Sequence, residues 1–549
     1  MRSIGSILAR LLVCGFLIFG DGSLSDGARV APLLRVSDGI SSQDGISSQE
    51  RLERCDFPQG FVFGVSSSAY QYEGAAAEGG RQPSIWDTFS HTQGMIDISS
   101  FPRKHFDETQ SPLFFPGKIQ DGTTGDLAND QYHRFREDVG LIKNMGMDAY
   151  RFSISWSRFF IDGSVNVEGQ AYYNALIDEL LSAGIEPYVT LNHFDLPQAL
   201  DGSNGGWLNS SIVDIFAAYA EACFDAFGDR VKTWITFNEP QLFSLKAYSE
   251  GSHAPGRCSS CSNGNSLTEP YIVGHNMLLS HAAAVRIYKQ KFQARQGGKI
   301  GITLNSYWFE PFSNSKMDIE ASKRSLDFEL GWFLEPLTSG NYPERMRTRL
   351  GPRLPVFTEE QRQAVKSSID FLGLNHYTTR YVQDMPAVTP ANTANGDSQV
   401  LQLVARNGVE IGPKSASSWL YIVPWGIEKL LLYVKDHYNP PEIIITENGM
   451  DEANDPSAPL EQSLQDHNRI KFYQSYLKYL LQAVKKGVNV RGYLAWTLLD
   501  DFEWRFGYMQ RFGLHFVDFN DNMRRYPKLS SLWFKQMLKD RNCESKSAL

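Results

Sequence analysis

Residues 231–240 read VKTWITFNEP. The first part of this run is apolar and strand-like, yet it finishes on Asn238 and Glu239 and is stopped by Pro240. A buried carboxylate is costly unless it is hydrogen-bonded, neutralised or employed. A glutamate at the tip of an apolar run therefore needs a reason. The same pattern returns at 442–449, EIIITENG, where Glu447 ends a second apolar run. Two carboxylates at the tips of two strands predict a shared site.

Working outward, six more runs have this character: GFVFGVS (60–66), DAYRFSIS (148–155), EPYVTLNHF (186–194), KIGITLNSY (299–307), IDFLGLNHY (369–377) and VRGYLAWTLLD (490–500). Between them lie stretches such as YYNALIDELLSAG and IVDIFAAYAEACFDAFG, with apolar residues three and four apart, the period of a helix. Near-continuous apolar strands alternating with helices indicate a parallel sheet buried on both faces. The fold class is α/β, and eight such units predict a single (β/α)8 TIM barrel with long βα loops. A doubly wound open sheet is the alternative on periodicity alone. The strand ends favour the barrel. Gln71, Arg151, His193, Asn238 with Glu239, Asn305 with Tyr307, Asn375 with Tyr377, Glu447 and Trp496 all follow or close an apolar run. In a barrel these ends converge on one mouth; in an open sheet they would spread along an edge.

The chain has 549 residues, 42% hydrophobic and 21% charged, an ordinary globular composition. Its net charge of −9, with no long basic run, argues against a nucleic-acid partner. Aromatic content is 13%, with 11 tryptophans, which suits sugar rings as well as a core. Residues 1–22 place arginines before a short apolar stretch and then small residues, the order of a secretory signal peptide and too short to span a bilayer. The expected route is secretory, with no membrane attachment after signal removal. Residues 23–53 form a flexible leader containing the tandem repeat DGISSQ at 38–43 and 44–49. The folded domain is expected over 54–540, followed by a tail, 541–549, that ends in KSAL and is not an ER-retrieval tetrapeptide.

Of six cysteines, Cys14 leaves with the signal, and Cys258 with Cys261 lie in a Gly/Ser/Asn-rich loop, as expected of a disulfide in a secreted chain. Cys223 falls on a helical stretch and reads as a buried thiol. Cys55 and Cys543 lie near opposite ends, and their spacing fixes no pairing. Asn209, in Asn-Ser-Ser, is a glycosylation acceptor. The sequence carries no signature of an oligomeric state.

Two carboxylates flanking a bond equip glycoside hydrolysis: one protonates the leaving oxygen, and the other attacks the anomeric carbon or activates water. Asn238 would hold a sugar hydroxyl. Arg151 and Tyr307 would orient Glu447 and keep it ionised. The Glu447 anion would then raise the pKa of Glu239 and leave it protonated, the separation that acid and nucleophile require. Read singly, His193, Trp496 and Trp504 fit a core equally well, Asn305 a loop brace, and Asp195 and Asp500 ion-pair partners that shape the mouth.

Together the motifs FVFGVSSSAYQYEG, TLNHFDLPQAL, TWITFNEPQ, LGLNHYTT, IIITENG and AWTLLDDFEW resemble family 1 glycoside hydrolases, specifically the plant β-glucosidases, from about Asp56 to Leu538. The resemblance implies a retaining β-glucosidase without cofactor or metal, acting through a covalent glycosyl-enzyme. It implies Glu239 as acid/base and Glu447 as nucleophile. Gln71, His193 and Asn238 would contact sugar hydroxyls, Trp496 would lie beneath the ring, and Glu503 with Trp504 would read its far hydroxyls. Tyr307 would bond the nucleophile, Tyr377 and Phe512 would line the pocket, and Trp419 would form an aromatic wall for the aglycone. The partner so implied is a small β-D-glucoside with an apolar or aromatic aglycone, met in the apoplast, another extracellular space or the vacuole. Two departures stand out. Residues 93–115 interrupt the passage from WDTFSHT to PGKI that such enzymes make directly. Asp501 stands where they commonly carry Asn, and its charge is expected to raise the pH at which Glu503 ionises. A thioglucosidase of this kind typically has Gln at the position of Glu239, so the intact NEP favours O-glucosides. A transglucosidase would use the same residues with an alcohol in place of water. A weak or inactive sugar-binding protein would keep the barrel and lose a glutamate, and neither is lost.

Overall fold

Apolar runs that must be buried on both faces can close on themselves, and here all eight do. A computed structural model describes residues 52–92, 118–385 and 392–540. The barrel strands are β1 (Val62–Ser66), β2 (Ala149–Ser153), β3 (Glu186–Asn192), β4 (Thr233–Asn238), β5 (Lys299–Asn305), β6 (Phe371–Asn375), β7 (Ile443–Glu447) and β8 (Val490–Ala495). Each pairs in parallel with its sequence neighbours, and β1 closes the ring by pairing with both β2 and β8. This is the (β/α)8 barrel that the strand ends favoured. The barrel interior is its own small core, in which Ala149, Tyr188, Ile235, Phe371, Ile444 and Leu494 meet from six strands. It is filled by side chains and is not a pore.

The covering helices used below are α1 (Gln131–Met145), α2 (Val167–Ser182), α3 (Ile212–Phe227), α4 (Pro240–Tyr248) and α5 (Glu269–Ile287). In α3 the buried residues Ile212, Phe216, Tyr219, Ala220, Cys223, Phe224 and Phe227 follow the helical period. That stripe lies on β4: the Phe216 ring is 4.5 Å from Phe237, and Phe224 is 5.1 Å from Trp234. Cys223 is a free, fully buried thiol within it, as its sequence setting implied.

Two strand pairings slip just before the mouth. The β4–β5 register shifts between Ile235 and Asn238, and the β6–β7 register shifts between Ile445 and Glu447. Such irregularities bend a strand and re-aim its side chains. Both slips fall immediately ahead of the two glutamates.

The signal segment, the insertion 93–115 and the tail 541–549 lie outside the described residues, as do Cys14, Cys543 and all of the leader up to Arg51. Leu52, assigned to the leader from sequence, is 7% exposed and belongs to the core. Cys258 and Cys261 form the expected disulfide, and Asn209 is exposed at the approach to α3. Among the described residues no helix is long and apolar enough to cross a membrane.

Candidate active site

Glu239 follows β4 directly and is the N-cap of α4. Pro240 therefore stands at the first helical position, where a missing N–H leaves nothing unsatisfied. This accounts for the abrupt stop in NEP. Glu239 itself adopts φ +44°, in the left-handed region. Phe194 (φ +73°) and Trp504 (φ +47°) do the same beside the same cleft. Such conformations cost about 1–3 kcal/mol each and gather where surrounding structure imposes them.

Glu239 is 6% exposed, and its carboxyl accepts a hydrogen bond from Asn375 Nδ2 at 2.7 Å. Burial first, and then the charge of Glu447, push it up to about 8, against the Asn375 bond and Arg151. The sequence pointed to Glu447 as the cause; desolvation is the larger one.

Glu447, the last residue of β7, is held from two sides. Arg151 Nη1 donates to Oε1 at 2.5 Å, and Tyr377 donates its hydroxyl to Oε2 at 2.8 Å. A guanidinium on one oxygen and a phenol on the other form a donor set suited to a carboxylate. The tyrosine expected in this place was Tyr307, and here the geometry differs. The Tyr307 ring lies under the Arg380 guanidinium, 5.2 Å away, and Arg380 reaches on to the Trp419 carbonyl. Tyr307 stands at the end of β5, on the side of Trp419, and Tyr377 beyond β6 takes the contact with Glu447. β6 lies next to β7 in the ring and β5 does not.

Around the pair the polar groups form a chain with a defined direction. Arg151 Nη2 donates to Asn238 Oδ1 at 2.6 Å, so the Asn238 amide nitrogen is the group that faces His193 Nε2 at 3.0 Å. His193 Nε2 must then accept, and the imidazole carries its proton on Nδ1. Burial and the nearby Arg151 hold this histidine well below its usual pKa, hence neutral. Its Nδ1 has no partner among the described residues and is available to donate. Gln71 is oriented by Ser68, whose hydroxyl donates to Oε1 at 2.7 Å; Gln71 Nε2 donates to Phe502 O at 3.0 Å and to Glu503 Oε2 at 3.3 Å.

Aromatic rings enclose the cleft. Trp496 and Trp504 each lie 5.9 Å from the His193 ring. On the other side Trp419 and Phe512 stand 5.7 and 6.3 Å from Tyr377. Trp419 is half-buried, whereas Trp496 and Phe512 are buried. The sequence candidates thus gather at one mouth, with Tyr307 displaced from the role expected of it. Two contributors were missed. Asn375 donates to both Glu239 and Asn238 Oδ1 (2.7 and 3.2 Å), and its own Oδ1 accepts from Thr446 at 2.7 Å. Asn375 did stand among the strand-end polar residues; Thr446, inside IIIT, gave no signal.

Two acidic neighbours behave differently from one another. Asp500 is an ion-pair partner, bonded by Arg511 and Lys528 at 2.7 Å each. Asp195 is bonded by no cation among the described residues; it accepts from the His193 backbone at 3.3 Å, and burial pushes it up to about 7. Glu503 is pushed up to about 8 by burial, then by Asp451 and Glu447. Asp501 was expected to drive that shift and instead bears one itself: burial, then Glu503, Asp500 and Glu447, raise it well above the usual carboxylate range. Among the described residues no group of three or more His, Cys, Asp or Glu is placed to hold a metal ion.

A buried neutral acid and an arginine-held carboxylate, facing one cleft with neutral amide and imidazole donors, can protonate a leaving group on one side and attack on the other.

The chain matches the family model for glycosyl hydrolase family 1 over residues 53–101 and 106–543. It is 51% identical to β-glucosidase 24 of Oryza sativa subsp. japonica, covering 91% of this chain and 97% of that one. It is also 51% identical to β-glucosidase 40 of Arabidopsis thaliana, covering 89% and 93%. The crystal structure of the rice Os3BGlu6 β-glucosidase superposes with a TM-score of 0.84 at 50% identity, covering 89% of this chain and all of that one. A variant of the same rice enzyme, with Glc bound covalently, superposes equally well.

Proposed function

This chain belongs to glycosyl hydrolase family 1, a retaining family, among its plant β-glucosidases, and from that premise we propose that it removes terminal β-D-glucosyl residues from small O-glucosides, with Glu239 as acid/base and Glu447 as nucleophile. In the first step Glu239 gives its proton to the glycosidic oxygen as Glu447 attacks the anomeric carbon, and the aglycone leaves as an alcohol. Glu239, now a carboxylate, takes a proton from water, which attacks the same carbon and frees Glu447. Inverting twice retains configuration, and the pair should stand about 5–5.5 Å apart. The observation that carries this assignment is the contrast between the two acids: one is kept neutral by burial, the other is gripped by Arg151 and Tyr377. The rice relative with covalent Glc supports the same two-step course.

His193 Nδ1, Asn238, Gln71 and Glu503 would receive the glucose hydroxyls, with Trp496 beneath the ring and Trp504 beside it. Trp419 and Phe512 would meet the apolar or aromatic aglycone. The N-terminal segment supports passage through the secretory route to the apoplast or vacuole, with glycan on Asn209.

The test is turnover of p-nitrophenyl β-D-glucoside by the wild type and by Glu447→Ala. The variant is expected to lose more than about three orders of magnitude in kcat; substantial residual turnover would defeat the assignment. In the wild type the rate should fall as pH rises through about 8, where Glu239 loses its proton. Glu239→Gln should remove that limb.

A further inference from the structure

Asn375 closes β6, two strands round the ring from β4, and its amide reaches across β5 to Glu239. Every polar atom of that amide is engaged. Nδ2 gives one hydrogen to Glu239 Oε1 at 2.7 Å and the other to Asn238 Oδ1 at 3.2 Å, while Oδ1 accepts from the Thr446 hydroxyl at 2.7 Å. The orientation is forced from outside. Arg151 carries only donors, so the Asn238 atom that meets it at 2.6 Å is an oxygen. The Asn375 atom facing that oxygen is then the amide nitrogen, because turning the amide over would set oxygen against oxygen. On the other side Thr446 accepts from Thr303 Oγ1 at 3.3 Å, which leaves its own hydrogen for Asn375. Asn375, Thr446 and Thr303 are all buried, so no water competes for these bonds.

Glu239 Oε1 is therefore always faced by an N–H and never by an acceptor. In a neutral carboxyl the carbonyl oxygen accepts a hydrogen bond better than the hydroxyl oxygen does, so Oε1 is the poorer seat for the acid proton. Oε2 makes no hydrogen bond among the described residues and is not sealed from solvent. The charges that face Glu239 from the rest of the ring are Glu447 on β7, Arg151 on β2, Glu329 beyond β5 and Glu503 beyond β8, with the phenols of Tyr307 and Tyr377. They act on it through space. Among the described residues Asn375 is the side chain that bonds its carboxyl group.

We infer that Asn375, held by Thr446, is the positioning residue of the acid/base: by occupying Oε1 it makes Oε2 the oxygen that gives its proton to the glycosidic oxygen and later takes one from water. The same bond favours the carboxylate, the form that Glu239 needs in the second step. By then the ester at Glu447 has removed one of the charges that keep Glu239 neutral, and the Asn375 donor acts in the same direction. The inference rests on the hydrolytic reading above and deepens it.

The experiment compares phenyl β-D-glucoside with 2,4-dinitrophenyl β-D-glucoside, whose leaving group departs without a proton, in the wild type, Asn375→Leu, Thr446→Val and Thr446→Ser. Asn375→Leu should lose about tenfold more kcat/KM on the phenyl substrate than on the dinitrophenyl one, because only the first needs a well-placed acid. Its basic limb on the phenyl substrate should move up from about 8 by about one pH unit, since a donor to the carboxylate has been withdrawn. Thr446→Val should shift both readings in the same direction and by less, and Thr446→Ser, which keeps the hydroxyl, should restore the wild-type limb. Each substrate ratio is internal to one preparation and a limb does not depend on the active fraction, so a partly folded variant distorts neither. Equal losses on the two substrates in Asn375→Leu, an unmoved limb there, or a limb in Thr446→Ser displaced as far as in Thr446→Val, overturns the inference while leaving hydrolysis standing. Failure of the wild type to cleave either substrate overturns the hydrolytic reading, and this inference with it.

Discussion

Asp501 is the most exposed to physical argument of the residues around the cleft, because nothing compensates it. It is 1% exposed, and neither carboxyl oxygen has a hydrogen-bond partner among the described residues. Its neighbours are Glu503, Asp500 and Glu447, all acidic, with the phenols of Tyr72 and Tyr508. The two cations nearby are already engaged, since Arg511 and Lys528 both bond Asp500. Asp501 therefore keeps its proton in the folded protein far above the pH at which an unfolded Asp would lose it. The direction of linkage follows. Between the unfolded value, about 3.9, and the raised folded one, the native state binds more protons than the unfolded chain, so this residue makes stability fall as pH rises. Asp501→Asn removes that titration. We expect the variant to gain over the wild type progressively from about pH 4 upward, by at most about 1.4 kcal/mol per pH unit. Thermal melts of both proteins from pH 4 to 8 measure it. The glucoside-over-fucoside preference should not move, since a protonated carboxyl and an amide are both neutral. Parallel pH curves for the two melts would show that Asp501 is ionised after all.

At the scale of the element, the junction of β4 with α4 combines three demands in six residues, Ile235–Pro240: a strand that slips register after Ile235, a glutamate at φ +44°, and a proline that opens the helix. The left-handed conformation costs a residue with a Cβ about 1–2 kcal/mol that glycine avoids. Inside a helix Gly is worse than Ala by a similar amount; at this N-cap the order should reverse. Glu239→Gly is expected to be more stable than Glu239→Ala by about 1 kcal/mol, read as the difference in urea midpoints of two inactive proteins. Ala equal to or better than Gly would mean that the backbone relaxes once the glutamate is gone. The same junction shows what was legible beforehand. The eight strands were, because burial on both faces leaves apolar runs with little ambiguity. Glu239 and Glu447 were, because a carboxylate ending such a run has no other rationale. The partition of tyrosines was not: LNSY and LNHY present Tyr307 and Tyr377 at equivalent places, and only the order of strands around the ring puts β6 beside β7. Nor was Asn375's grip on Glu239, which depends on where the register slips leave side chains pointing. Local sequence encodes the run and its end; the aim of the last side chain is set by its neighbours in space.

For the molecule as a whole, closure of the ring brings together parts of the chain that are far apart in sequence, and one buried ion pair holds that seam. Arg525, in the hairpin after β8, donates from Nε to Asp138 Oδ1 on α1 at 2.9 Å, and from Nη2 to Asn129 O at 2.6 Å. Both side chains are essentially inaccessible, 0% and 1% exposed. Arg525 Nη2 also reaches Asp138 Oδ2 at 3.3 Å, and Gln131 Nε2 adds a third donor to the carboxylate at 3.2 Å. Such a pair adds little net stability over a well-packed apolar substitute, yet removing one partner strands the other charge. Arg525→Met should therefore cost about 3–5 kcal/mol, and Arg525→Met with Asp138→Leu should recover most of it. Packing loss alone would make the double variant worse than the single one. Charge can be separated from packing by pH. Burial already raises Asp138, with Arg525 opposing it, so without the arginine its folded pKa climbs further. The native state then holds a proton that the unfolded chain releases above about 4, and the stability deficit of the single variant should grow as pH rises and shrink toward pH 4. Unfolding midpoints of the three proteins at pH 4.5 and 7 supply the comparison. A deficit independent of pH would move the stabilising role of this seam from the ion pair to the hairpin's packing on α1.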